Sequence, residues 1–341
     1  MRKTVVFLVS IIFFITGGIL SFFFVKGKLH PKETPKPLLA YTFESLKNTE
    51  FPRSPILFGD KIEETPDYTS QIFYFNVPEK PGSTTFLKVS GLANIPKTEG
   101  NYPIIVMFRG YMPKETYKSG GGSQPSARVL ARNGFITLAP DFLGYGESAS
   151  ASATLFEDRF QTYTTALTLL SSLPNLNEGL GQSYPGITGD TNKVGVWGHS
   201  NGGHIALSTL AISGVTYPTV LWAPVSKPFP YSILFYTDET DDHGKALRYA
   251  LSIFEKNYDT ELFSPANYYS WIKAPMQIHQ GTSDEEVLPW WSDELVETLK
   301  KDGVNVNYFK YPGADHNLLP NGWDDAVLKE ISFFETQPSN H

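Results

Sequence analysis

From Gln71 to Pro96, "QIFYFNVPEKPGSTTFLKVSGLANIP", apolar and polar positions alternate on either side of a Pro/Gly turn, which predicts antiparallel strands at the start of a sheet. The rhythm then changes to short, mostly apolar runs at Ile104 to Phe108, Phe135 to Ala139, Val194 to Trp197, Val220 to Ala223, Met276 to His279 and Val304 to Lys310. Segments with apolar residues at helical spacing separate most of them: Phe156 to Leu173, Gly203 to Leu210, Trp291 to Lys301 and Trp323 to Phe334. Strands covered on both faces read as unbroken apolar runs. Their alternation with helices predicts an α/β chain with a doubly wound, mostly parallel sheet. Between Pro224 and Ala274 the pattern lapses into an aromatic-rich stretch too long for a simple connection. It predicts an insertion, about 225–273, that caps a site between the sixth and seventh strands so counted. No internal repeat is present.

The amino terminus follows another pattern. Arg2 and Lys3 precede the charge-free run "TVVFLVSIIFFITGGILSFFFV" from Thr4 to Val25. A bilayer core takes about 20 apolar residues, whereas a signal-peptide apolar region holds about 7 to 15 before a small-residue cleavage site. No A-x-A follows Val25, so residues 1–26 read as an uncleaved anchor, with a cleaved signal as the alternative. The amino terminus is expected in the cytoplasm and the body outside, although Lys26, Lys28 and Lys32 weaken the charge asymmetry. "HPKETPKP" opens a stalk or linker, residues 27–50, and residues 51–341 form the globular body.

With 41% hydrophobic residues in 341, that body can bury a full core. The first 36 residues carry +5 and the total is -7, so the rest carries -12. So acidic a body does not suit the phosphate-neutralising surface of a nucleic-acid binder. The chain has no cysteine, which excludes disulfides, thiolate catalysis and Cys-ligated zinc together. No closely spaced His or carboxylate set resembles a metal site, and no cofactor is expected. The oligomeric state stays open.

"VGVWGHSNGGHI" hems Ser200 between Gly198 and Gly202 where a strand-like run turns helical. The stretch fits G-x-S-x-G, the strained turn that lifts a nucleophilic serine above a sheet and points a helix amino terminus at it. A serine hydroxyl is a weak nucleophile at neutral pH and needs a base, which in turn needs an orienting acid. Of the seven histidines, His316 in "KYPGADHNLL" follows the last predicted strand on the face where Ser200 would sit. His30 and His341 are terminal, His199 and His204 flank the serine, His279 lies within a strand and His243 in the charged part of the insertion. "IHQGTSDEEVLP" supplies Asp284, with Gly281 turning the chain off its strand, while Glu285, Glu286 and Asp315 read as solvated or loop-bracing charges. The oxyanion donors expected are the backbone N–H of Asn201 and, from "MFRGYMPKETY", that of Tyr111. Ser119–Ser123, "SGGGS", lacks the Gly-Lys-Ser/Thr of a phosphate loop and reads as flexible surface. Phe229, Tyr231, Trp290 and Trp291, with Pro228, Phe235 and Tyr236 beside them, are candidates for an apolar acyl-side pocket.

"MFRGY", "APDFLGYGES", "GHSNGG" and the pair "GTSDEEVLP" with "GADHN" resemble the α/β-hydrolase superfamily. Within it they resemble the catalytic domain of the prolyl oligopeptidase (S9) family and the dienelactone-hydrolase-like enzymes. The resemblance implies the α/β-hydrolase fold and a Ser200, Asp284, His316 triad, and it covers most of Ile104 to Leu318. Large prolyl oligopeptidases carry an amino-terminal β-propeller, for which the residues before Gln71 are too few. Access would then fall to the insertion before Ala274. The function implied is cleavage of a peptide or ester substrate through an acyl-enzyme. The alternatives are a small-substrate carboxylesterase or dienelactone-type hydrolase, and an idle hydrolase fold serving as a binding module.

Overall fold

In the computed structural model, which describes residues 35–237 and 240–337, the apolar runs become the middle of a nine-stranded sheet. The strands are β1 (Leu57–Glu64), β2 (Tyr68–Pro78), β3 (Phe86–Pro96), β4 (Gly100–Phe108), β5 (Ile136–Pro140), β6 (Ile187–His199), β7 (Thr219–Trp222), β8 (Met276–Gly281) and β9 (Val306–Tyr311). Their spatial order is β1-β2-β3-β5-β4-β6-β7-β8-β9. The first three pair antiparallel with one another and β3 pairs antiparallel with β5, while every later pairing is parallel. The helices are α1 (Phe43–Lys47), α2 (Gln124–Arg132), α3 (Leu155–Ser172), α4 (Leu176–Ser183), α5 (Asn201–Ser213), α6 (Tyr231–Leu234), α7 (Lys245–Glu255), α8 (Pro289–Lys301) and α9 (Trp323–Thr336).

The runs are continuous because both faces of the sheet are covered and successive side chains point to opposite sides. Along β4, Ile104, Val106 and Phe108 enter one core while Ile105 and Met107 enter the other. Along β7, Leu221 joins the first core and Val220 and Trp222 the second. Each such side chain contributes on the order of 1.5–3 kcal/mol by leaving water. The first core takes α3, α5 and much of the insertion, and the second takes α2 and α9.

The insertion runs between β7 and β8 and carries α6, α7 and two 3-10 segments, Thr260–Phe263 and Pro265–Trp271. The sheet has one strand more than the alternation suggested because β1, an exposed edge strand rich in charge, precedes the hairpin. The linker expected over 27–50 requires correction. Leu38, Tyr41, Phe43 and Leu46 are buried in the main core, so the domain begins well before residue 51. Four apolar side chains in nine residues give that segment a reason to dock rather than hang free. The expected anchor, 1–26, lies outside the described residues. Among the described residues no helix is long and apolar enough to cross a membrane.

From β4 the chain moves to β5 on one side and then crosses to β6 on the other. Such a reversal opens a crevice beyond the carboxyl ends of the strands, where ligands of α/β sheets collect. The register aligns Phe108 with Gly198, His199 with Trp222 and Trp222 with His279. The loops after β4, β6, β7 and β8 therefore leave the sheet at one level.

Candidate active site

Ser200 stands between the end of β6 and the first residue of α5 with φ 57° and ψ -122°, a conformation L-residues rarely hold. Four backbone bonds clamp it: its N–H donates to Trp222 O at 2.9 Å, and its carbonyl accepts from Val225 and Gly203 at 3.0 Å and from His204 at 3.4 Å. The glycines around it answer to close approach. A Cβ on Gly202 would lie 1.8 Å from Phe108 O, and one on Gly198 2.7 Å from Gly202 O. The loop after β4 reaches the same place, since a Cβ on Gly110 would lie 3.0 Å from Ser200 Cβ and 3.6 Å from its Oγ. Among the described residues neither the Tyr111 nor the Asn201 backbone N–H has an acceptor. The Tyr111 side chain is exposed to solvent.

Asp284 and His316 come from the loops after β8 and β9, which are laced together by Ser283 N–H to Ala314 O at 2.9 Å and Gly313 N–H to Thr282 Oγ1 at 2.8 Å. His316 Nδ1 meets Asp284 Oδ2 at 2.9 Å; with Nδ1–H donating to that oxygen, Nε2 is left to face the serine. Asp284 is buried. Its Oδ1 accepts from the backbone of Glu286 and Val287 at 3.0 and 2.9 Å, and its Oδ2 also accepts from Gln280 Nε2 at 3.0 Å. Gln280 is itself held by Ser292 Oγ at 2.7 Å. Glu285 and Glu286 are exposed, and Asp315 Oδ1 braces its own loop through Asn317 and Leu319 N–H at 2.9 Å.

His199 ties His316 to the serine turn. Its Nε2–H donates to His316 O at 3.0 Å, and the two rings lie 4.5 Å apart. Burial, then the neighbouring His316, lowers the His199 pKa to about 4, so it stays neutral and keeps the proton this bond needs. No hydrogen bond joins Ser200 Oγ to His316 in this structure. Such bonds often tighten only with substrate in place.

His279 and His204 are structural. His279 is enclosed between Tyr311 OH and Gln277 Oε1 at 2.8 Å each, and burial lowers its pKa to about 3. His204 Nδ1 faces Val225 O at 3.3 Å, while Nε2 receives Tyr163 OH at 2.8 Å and Arg159 Nη2 at 3.1 Å. Burial and the Arg159 charge hold its pKa well below the ordinary value.

Two of the expected pocket residues are corrected. Phe229 is 1% exposed and packs on Phe156, Phe160 and Phe254, and Trp291 is 0% exposed against Phe235, so neither offers surface to a substrate. Large aromatics gain most by full burial, and the insertion uses them to fasten itself to α3 and α8. Tyr231 and Trp290 are each 44% exposed, with Lys227 over the Trp290 ring at 3.9 Å. The "SGGGS" stretch is also ordered rather than loose. Ser119 Oγ donates to Asp141 Oδ2 at 2.7 Å, Gly120 N–H donates to Oδ1 at 3.4 Å, and Ser123 is buried. Gln280, Ser292 and Arg109 (below) were missed, since each acts through partners that sequence spacing does not bring together. No group of three or more His, Asp or Glu suited to a metal occurs among the described residues.

A reversing, mostly parallel sheet with a strained serine at its crevice is the architecture of the α/β-hydrolase fold, which solved structures share with this chain. Within the class its carboxy-terminal part is similar to the prolyl oligopeptidase family, whose model matches residues 184–340, and a chlorophyllase model matches 76–221. A probable dipeptidyl peptidase 4 from Aspergillus flavus is 26% identical over 147 residues, 42% of this chain and 18% of that protein. The chain thus spans about a fifth of that relative's length. An acetyl xylan esterase from Paenibacillus sp. R4 superposes with a TM-score of 0.61 at 17% identity, covering 89% of this chain and 95% of that one. Dipeptidyl peptidase 4 of Porphyromonas gingivalis gives 0.53 at 16% identity, covering 79% of this chain and 35% of that one.

Proposed function

We propose that this protein cleaves an ester or amide bond through an acyl-enzyme on Ser200. His316 is the base that takes the serine proton and returns it to the leaving group, and Asp284 orients and stabilises the imidazolium. The Asn201 and Tyr111 N–H groups receive the oxyanion. The observation that carries this reading is the convergence of the strained Ser200 turn with the His316–Asp284 pair, joined to it by His199. The prolyl oligopeptidase match, residues 184–340, includes all three side chains and favours a peptide substrate.

A second reading, a carboxylesterase for small substrates, is favoured by the architecture. Among the described residues the insertion is the one segment long enough to roof the site, and the acetyl xylan esterase shares the fold over nearly its whole length. Attachment to a membrane through residues 1–26, with the catalytic domain outside the cytoplasm, belongs to the proposal and rests on the apolar run alone. Full-length protein in detergent is to be treated with a fluorophosphonate and assayed on p-nitrophenyl esters, dipeptidyl anilides and aminoacyl anilides. Labelling at Ser200 is expected, and its absence together with inactivity on the whole panel would leave the binding-module reading. Turnover confined to short esters would exclude the peptidase.

A further inference from the structure

The residue before Gly110 carries a charge that the proposed chemistry does not yet use. Arg109 follows β4 and is 6% exposed, and its guanidinium offers only donors. Its Nη1 donates to Gly110 O at 2.9 Å and its Nη2 to Asp141 O at 3.0 Å, while Nε has no partner. The guanidinium lies over the rings of Tyr145 at 4.0 Å, Tyr117 at 4.6 Å and Phe142 at 5.7 Å. The nearby carboxylate is already taken: Asp141 accepts from Ser90 Oγ at 2.6 Å and from Tyr117 OH and Ser119 Oγ at 2.7 Å. Among the described residues Arg109 has no carboxylate partner. A buried cation that lies among tyrosines and carbonyl oxygens with no carboxylate partner is costly, and such an arrangement points to a task.

The Gly110 carbonyl and the Tyr111 N–H belong to one planar trans peptide and point in opposite directions. A charged donor on the oxygen fixes the rotation of that unit and polarises it, which strengthens the N–H as a donor. Gly110 lies beside Ser200, and the Tyr111 N–H is unoccupied. Tyr145, whose ring stacks on the guanidinium, secures the next turn of the loop through its hydroxyl on Met112 O at 3.1 Å. We propose that Arg109 is the positioning residue of the oxyanion hole, setting the Gly110–Tyr111 peptide so that its N–H meets the developing charge. The assignment rests on the acyl-enzyme reading of Ser200.

The test compares native protein with Arg109→Gln and Arg109→Lys, after near-ultraviolet circular dichroism has established that each is folded. Each is assayed for kcat and KM on the best p-nitrophenyl ester and for affinity toward a trifluoromethyl ketone, whose hemiketal mimics the tetrahedral intermediate. Arg109→Gln is expected to lower kcat about 100-fold, the loss that follows removal of one oxyanion donor, with KM within about two-fold. The ketone is expected to lose affinity by the same factor, and Arg109→Lys, which keeps the charge and one bond, to lose less. Should the glutamine variant not fold, the lysine variant decides, with an expected fall of about ten-fold in kcat and ketone affinity alike. Folded variants with kcat and ketone affinity within about two-fold of native, or a change confined to KM, would overturn the inference while leaving the acyl-enzyme intact. Native protein that is neither labelled nor active would overturn both.

Discussion

Glu330 offers a sharp test of the packing behind the site. It lies on α9, fully buried against β6 and β7, with one oxygen accepting from Trp197 Nε1 at 3.0 Å. The other oxygen and the Trp222 indole N–H are each left without a partner. Burial pushes the carboxyl up from 4.5 to about 8, against the lowering effect of the Trp197 hydrogen bond. Between those two values the folded protein keeps a proton that the unfolded chain has released. The folded state binds more protons there, so this group's contribution is fully present below pH 4.5 and is lost as pH rises toward 8. At about 1.4 kcal/mol per unit, the loss is about 2 kcal/mol at pH 6 and about 4 kcal/mol at pH 8. Glu330→Gln abolishes the titration and keeps an oxygen for Trp197, at the pH-independent cost of an unpaired amide N–H. Urea unfolding followed by tryptophan fluorescence at pH 5 and pH 8 reads the difference. Between those pH values the stability gap is expected to move by about 3–4 kcal/mol in favour of the variant. A gap that does not change with pH, or that moves against the variant, would mean that the carboxylate ionises in place and that the reasoning from burial is wrong.

Ser200→Ala and His316→Ala are each expected to lower kcat by about four orders of magnitude or more, and Asp284→Asn somewhat less, in steady-state assays on the best substrate; activity retained in His316→Ala would identify a different base. Gly202→Ala forces a Cβ to within 1.8 Å of Phe108 O and is expected to lose more than about 3 kcal/mol in denaturant titrations, whereas Gly181→Ala, in α4 with nothing within 4 Å, is expected to gain about 0.5–1 kcal/mol. Incubation with a strong chelator is expected to leave turnover unchanged, and inhibition reversed by one added metal would contradict an all-organic site.

What the sequence disclosed follows from which elements are covered on both faces. β4, β6 and β7 were legible as apolar runs because side chains on both sides enter a core, and the residues just past the strand ends were legible because function collects there. β1 was not, since "LFGDKIEE" lies on an exposed edge where burial imposes no pattern. α2 was hidden behind "SGGGS", whose fastening depends on Asp141, a residue brought close only by the fold. The aromatics of the insertion misled for a related reason. Phe229 and Trp291 have the composition of a pocket wall, and only the docking of the insertion on α3 and α8 shows that their rings face inward. Arg109 was not legible, because its cage of Tyr117, Phe142 and Tyr145 and its acceptor on Asp141 come from two other stretches of chain that only the fold brings to it.

The same facts explain how a strained residue persists at the site. A positive φ on Ser200 costs on the order of 1–3 kcal/mol and would relax if the turn were free to move. It is not free, because β7 takes its N–H, the start of the insertion donates to its carbonyl through Val225, and α5 closes on the same carbonyl. Val225 also shares a small buried cluster with Val287 and Trp291, and Val287 N–H holds Asp284 Oδ1. The base of the insertion therefore braces the serine turn on one side and the carboxylate on the other. It fixes the separation between the groups that the proposed reaction brings together, and loosening it would misplace both at once.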